Sequence, residues 1–137
     1  MGLTVECKKT GRSIDVGYGG FCRLRNKVAE LAGGPFAEHY KSLSPFGDNE
    51  YYEEFDKKTK EILDNKQADI KIVNFLLQSD CSGKIRYGAC KNILKAIGDY
   101  DDDILYGYCG RPDCAKFADF KEILNDCINN KCDMLWA

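Results

Sequence analysis

The chain has 137 residues, of which 44% are hydrophobic, with a formal net charge of −2 and a sequence pI near 5.5. That length supports one domain with a real core, the apolar fraction excludes a disordered chain, and no apolar run approaches the roughly 20 residues that cross a bilayer. The start, Met1 to Cys7, lacks a basic segment followed by an apolar one, so it does not read as a secretory leader, and the expectation is a single cytoplasmic domain over residues 1–137.

Leu3-Thr4-Val5-Glu6-Cys7 alternates apolar and polar residues, as does Ile14-Asp15-Val16-Gly17-Tyr18, and the connection between them contains Gly11. This predicts a β-hairpin. Phe21, Leu24, Val28 and Leu31 then recur at helical spacing until Gly33-Gly34-Pro35 stops them. A short helix from Pro35 to about Leu43 follows, and Ser44 to Asp48 reads as a loop. Tyr52, Phe55, Ile62 and Leu63 mark one face of a helix ending near Asn65. Ile70 to Leu77 is nearly all apolar and reads as a buried helix, and Ser79 to Gly83 reads as a helix-capping turn. Ile85, Ala89, Cys90, Ile93, Leu94 and Ile97 form another stripe, closed by Gly98 and the acidic run Asp99–Asp103. Ile104 to Tyr108 suits a strand, Phe117 through Ile128 a last helix, and Met134-Leu135-Trp136 a final short strand. The fold class expected is α+β, mostly helical, with the N-terminal hairpin in a small antiparallel sheet.

Charge is unevenly spread: residues 1–33 carry six Lys/Arg against three acids, whereas the remainder carries 14 against 19. A basic N-terminal third on an acidic body suits a local anion site better than a nucleic-acid track. The glycine-rich run Val16 to Arg25 supplies the candidate. Gly19 and Gly20 would offer backbone N–H groups to a phosphate, Arg23 and Arg25 would pair with it, and Tyr18 or Phe21 would stack on a base. With Leu24 and Val28 on the apolar stripe, both arginines are expected to face solvent, at little cost to stability if reversed. Neither the dinucleotide fingerprint nor the P-loop is present, so a tight strand-to-helix turn with solvated arginines explains the same residues.

Other constellations are weaker. Cys109-x4-Cys114 with Cys127-x4-Cys132 offers four thiolates for zinc, but the spacing is looser than a zinc knuckle and Cys127 fits a core stripe, so neither metal nor cofactor is expected. The eight cysteines read as mostly reduced thiols, several of them in the core. Gln78 to Ala89 mimics an EF-hand loop but has Ala89 where the bidentate Glu belongs. His39, the only histidine, reads as a surface residue, so catalysis is not expected. Tyr18, Tyr51, Tyr87, Tyr100, Tyr106 and Tyr108 fit the core stripes poorly and suit either an interface or the edge of the core.

The segments Gly17-Tyr18-Gly19-Gly20-Phe21 with Arg23-Leu24-Arg25, Phe75 to Ile85, Cys90-Lys91, Tyr106-Gly107-Tyr108 and Phe117 to Cys127 resemble small phage and prophage proteins of Gram-positive bacteria. The resemblance covers most of the chain and implies an accessory factor that binds and blocks a host component; it assigns no residue a role. The leading expectation is therefore a non-enzymatic binding module for an anionic, nucleotide-like ligand, held by Tyr18, Gly19, Gly20, Arg23 and Arg25. The alternatives are an inhibitor meeting a host protein through its acidic, tyrosine-bearing surface, a zinc-stabilised structural protein, and an enzyme using His39 or a cysteine.

Overall fold

The structure is a computed structural model that describes residues 3–44, 46–100 and 115–137. Four short strands and six helices follow one another along these residues. Strands β1 (Thr4–Cys7) and β2 (Ser13–Asp15) form the N-terminal hairpin, and helices α1 (Gly17–Ala32), α2 (Gly34–Lys41), α3 (Asn49–Asp64) and α4 (Ile70–Leu77) come next. Strand β3 (Gly83–Ile85), helices α5 (Tyr87–Ile97) and α6 (Phe117–Asn130) and strand β4 (Met134–Trp136) complete the order. The sheet is antiparallel throughout, in the order β2-β1-β4-β3. This is the expected α+β architecture with the hairpin at its edge.

Local chemistry explains where the helices begin and end. Asp48 caps α3 by accepting from the Tyr51 N–H at 2.8 Å, and Asp69 caps α4 by accepting from Lys71 N–H at 2.8 Å. The break between α1 and α2 uses two positive-φ residues, Gly33 (68°) and Gly34 (73°), a conformation only glycine adopts cheaply. Two boundaries differ from the sequence reading. Gly17 and Tyr18 belong to α1 rather than to the hairpin, and Ile85 ends a strand instead of starting a helix. In both cases a strand runs into a helix with almost no loop, so the apolar pattern passes across the junction unbroken. The strand expected at Ile104–Tyr108 lies outside the described residues.

Helices α1, α4, α5 and α6 bury their stripes around Phe21, Phe75, Phe117, Phe120 and Trp136, all 1% exposed or less. The Trp136 ring lies 5.5 Å from Phe21 and 5.6 Å from Phe75, nearly perpendicular to the latter. Its indole N–H donates to the Ser79 carbonyl at 2.9 Å, so the one polar atom of this ring is satisfied. Only part of α4 is covered: Ile72, Val73, Phe75 and Leu76 are buried, while Ile70 is 66% exposed.

Gly83 is fixed by the same tryptophan. A Cβ at this position would overlap Cζ2 of the Trp136 ring. Gly83→Ala, which in an open strand is neutral or favourable, should here lower stability by about 1–3 kcal/mol, the range for overfilling a packed site. Urea denaturation checks this; an unchanged midpoint would show that the ring has room to move.

Candidate functional site

The glycine-rich start of α1 is partly occupied by the chain itself. The N–H groups of Val16 and Gly17 both donate to the Leu3 carbonyl, at 3.0 and 3.3 Å, so two donors at this helix start are already used. Tyr18 is 43% exposed, Gly20 is buried, and a Cβ on Gly19 would meet open space. Arg23 is exposed.

Arg25 corrects the expectation that both arginines face solvent, for it is buried. Its Nη1 donates to the carbonyls of Phe75 at 3.0 Å and Gln78 at 2.8 Å, and its guanidinium lies 4.7 Å from the centre of the Phe21 ring. The buried stripe of α1 is wider than the apolar residues alone suggest, since Arg25 stands one turn after Phe21 on the same face. There it meets the carbonyl end of α4, where helices leave acceptors unpaired and favour a cation. The phenol of Tyr40 donates to the neighbouring Leu76 carbonyl at 3.4 Å. Arg23 and Arg25 therefore do not converge on one ligand. Arg25→Ala strands these carbonyls and should cost about 2–3 kcal/mol, the upper range for hydrogen bonds to a charged group. Arg23→Ala should shift the denaturation midpoint far less, and equal shifts would remove the structural role given to Arg25.

His39 is likewise buried rather than on the surface. Its ring stacks on Phe55 with centroids 4.0 Å apart, and Nε2 lies 2.8 Å from Thr59 Oγ1 and 3.1 Å from the Phe55 carbonyl. The α2 stripe of Phe36, Ala37, His39 and Tyr40 carries it inward against α3. Burial holds the imidazole below its ordinary pKa; a hydrogen bond to the Phe55 backbone opposes this and nearby Lys58 adds to it. Because the folded-state pKa is depressed, the unfolded chain binds the proton first. The stabilising effect of a neutral His39 is present above about pH 6.5 and is lost as pH falls from there towards the folded value. Denaturant midpoints should thus fall on mild acidification in the wild type and change less in His39→Gln; parallel pH profiles would contradict this.

The tyrosines divide. Tyr51 donates to the Ser42 carbonyl, Tyr52 donates to the Ser44 carbonyl at 2.7 Å, and Tyr100 packs edge-on against Phe117 at 5.1 Å. These three brace the fold. Tyr106 and Tyr108 lie outside the described residues.

The start of α5 has the properties sought at α1. Strand β3 ends at Ile85, Arg86 turns the chain, and Tyr87-Gly88-Ala89 opens the helix. A cleft of about 830 Å³ lies there, lined by Lys71, Lys84, Arg86, Lys91, Tyr87, Gly88, Asn74 and Asn92 among others. The four cationic side chains are exposed, and no carboxylate is among the described lining residues, although Asp69 behind them accepts from the Asn92 side chain at 2.8 Å. Lys71 reaches across the helix start, so that a Cβ on Gly88 would lie 3.1 Å from its Nζ. Lys91 Nζ stands 5.5 Å from the centre of the Tyr87 ring. The Gln78 side chain fixes the approach, donating to the Lys84 carbonyl at 2.9 Å and accepting from its N–H at 3.3 Å. The sequence reading passed over these residues because Ile85 was assigned to the helical stripe. The legible signal was an Arg-Tyr-Gly junction between Lys84 and Lys91.

Of the four cysteines considered for zinc, Cys109 and Cys114 lie outside the described residues. Cys127 and Cys132 stand together, joined by Cys7 from the far end of the chain, with all three sulfurs within 4.8 Å of one another. Burial pushes the Cys7 thiol up, but hydrogen bonds from Thr10, Cys132 and Lys9 outweigh it and leave it at about 7. Cys127 is raised by its contact with Cys90 and by burial, and Cys132 is raised mainly by burial.

No family model matches the chain, and neither a curated protein nor a solved structure shows significant similarity to it. Among the described residues, no helix is long and apolar enough to cross a membrane.

Proposed function

We propose that the protein is a non-enzymatic binding module that holds a small phosphate-bearing, nucleotide-like ligand in the basic cleft at the start of α5. The observation that carries this reading is the set of Lys71, Lys84, Arg86 and Lys91 around one cleft, with no carboxylate among its described lining residues. A phosphate group placed there meets four cations and the positive end of a helix, and Asp69, which accepts from the Asn92 side chain at 2.8 Å, offsets only part of that charge, so an anionic guest is favoured. Tyr87 supplies an aromatic wall for a base beside that phosphate site. The protein's net charge is negative, so the attraction is local to this face. Sequestering such a ligand is the kind of accessory role that the resemblance to prophage proteins implies.

The reading keeps the ligand class expected from the sequence and moves its site, because Arg25 is committed to the carbonyls of α4. A tyrosine-bearing docking surface has less support, since Tyr51, Tyr52 and Tyr100 are engaged within the fold.

Calorimetric titration with inorganic pyrophosphate, nucleoside diphosphates and cyclic nucleotides tests the reading. Wild type should bind at least one of them, and Lys71→Glu with Arg86→Glu should weaken it at least tenfold, since each charge-assisted contact is worth about 1.5–3 kcal/mol and about 1.4 kcal/mol is tenfold. Melting curves of the double variant should match wild type, both side chains being exposed. Arg23→Glu should leave binding unchanged. Loss of binding in Arg23→Glu alone returns the site to α1, and a wild type that binds none of the probes overturns the anionic-ligand reading altogether.

A further inference from the structure

Three sulfurs gather at a corner of the core that the basic cleft does not use. Cys7 ends β1, Cys127 lies in the last turn of α6, and Cys132 follows that helix just before β4. The turn that returns the chain from α6 is tight. Lys131 adopts a left-handed conformation (φ 51°), and the Cys132 N–H donates to the Cys127 carbonyl at 3.1 Å. This folds the long Cys127-x4-Cys132 interval back on itself, so both sulfurs face the same point. The looseness of the spacing, which argued against a metal from sequence, is absorbed by the turn.

Distances fit a metal better than a hydrophobic corner. Cys7 and Cys132 Sγ are 3.3 Å apart, and Cys7, Cys127 and Cys132 all lie within 4.8 Å of one another. Sulfurs at about 2.3 Å from a tetrahedral zinc ion would be about 3.8 Å apart, which falls between those values. Free thiols in a core act as small hydrophobes and gain nothing from meeting in a group. Exposed Lys8, Lys9 and Lys131 adjoin the ligands in sequence and offset the negative charge of a zinc–thiolate centre.

We propose that Cys7, Cys127 and Cys132 form a three-thiolate structural zinc site that pins β1 and the start of β4 to helix α6, its fourth position taken by solvent on the Cys132 side. Cys7 and Cys127 are fully buried and Cys132 is partly exposed, so the ion enters past Cys132. Each thiol gives its proton to solvent as it binds, so uptake releases protons and tightens with rising pH. The site is independent of the anion reading, since none of its residues lines the α5 cleft.

The test uses reduced, chelator-treated full-length protein titrated with cobalt(II) and then zinc(II). One cobalt per chain should appear with the intense absorption of tetrahedral thiolate coordination, be displaced by zinc, and raise the melting temperature. Cys132→Ser, at the partly exposed position, should lose that spectrum and the thermal gain while still folding. The exposed-position variants Cys22→Ser and Cys81→Ser, and Cys109→Ser with Cys114→Ser, should keep both. The proposal is overturned if wild type leaves cobalt octahedral and oxygen-bound, or if Cys7, Cys127 and Cys132 react with a disulfide reagent as readily in excess zinc as without it. It is equally overturned if the protein takes up no metal while mild oxidation joins Cys7 to Cys132, which would make the pair a redox couple.

Discussion

The packing of Trp136 against Phe21 and Phe75 is the contact on which the rest of the fold depends. Strand β4 is three residues long, yet it occupies an inner position of the sheet, with β1 on one side and β3 on the other. A strand this short is weak by hydrogen bonds alone. What holds it is the indole, buried between α1 and α4 and anchored by its N–H to Ser79. Residues over a hundred positions apart are joined this way, and Gly83 is glycine because the ring occupies the space of a side chain.

Around that core, polar groups are buried where helices would otherwise end badly. Arg25 and Tyr40 satisfy carbonyls at the end of α4, and His39 reaches the Phe55 carbonyl and the Thr59 hydroxyl of α3. Burying a cation is costly unless it is paired or well hydrogen-bonded. Here the compensation comes from backbone acceptors and the helix dipole, without a carboxylate partner. These groups set the mutual placement of α1, α2, α3 and α4, and with it the frame that presents Lys71 beside α5. Among the described residues a strand turns straight into a helix at α1 and at α5, and the two junctions differ in what surrounds them. At α1 the Leu3 carbonyl takes the N–H groups of Val16 and Gly17, whereas the α5 junction opens onto four cations.

The sequence by itself determined the order and kind of most elements. Period-two alternation marked the hairpin, the stripes of α1, α3, α5 and α6 marked the helices, and Gly33-Gly34-Pro35 marked the break. These signals are local, because a helix or strand face must repeat at its own period whatever it packs on. The expectation of an anionic ligand came from the same kind of reading, on a basic N-terminal third, and it pointed to Tyr18, Gly19, Gly20, Arg23 and Arg25.

Tertiary structure decided which of those residues face inward and which distant ones meet. Arg25 and Phe21 share a face only in relation to α4, so the fate of its guanidinium was set by the carbonyls of Phe75 and Gln78, fifty residues away. His39 reads as polar in sequence and becomes internal because Thr59 and Phe55 supply its partners. Strand β3 exists because β4 is beside it, and three residues carry too little pattern to announce themselves. The cysteine corner is the clearest case: Cys127 and Cys132 are visible as a pair, but Cys7 joins them only through the pairing of β1 with β4. Sequence spacing measures distance along the chain, and coordination and burial depend on distance through space.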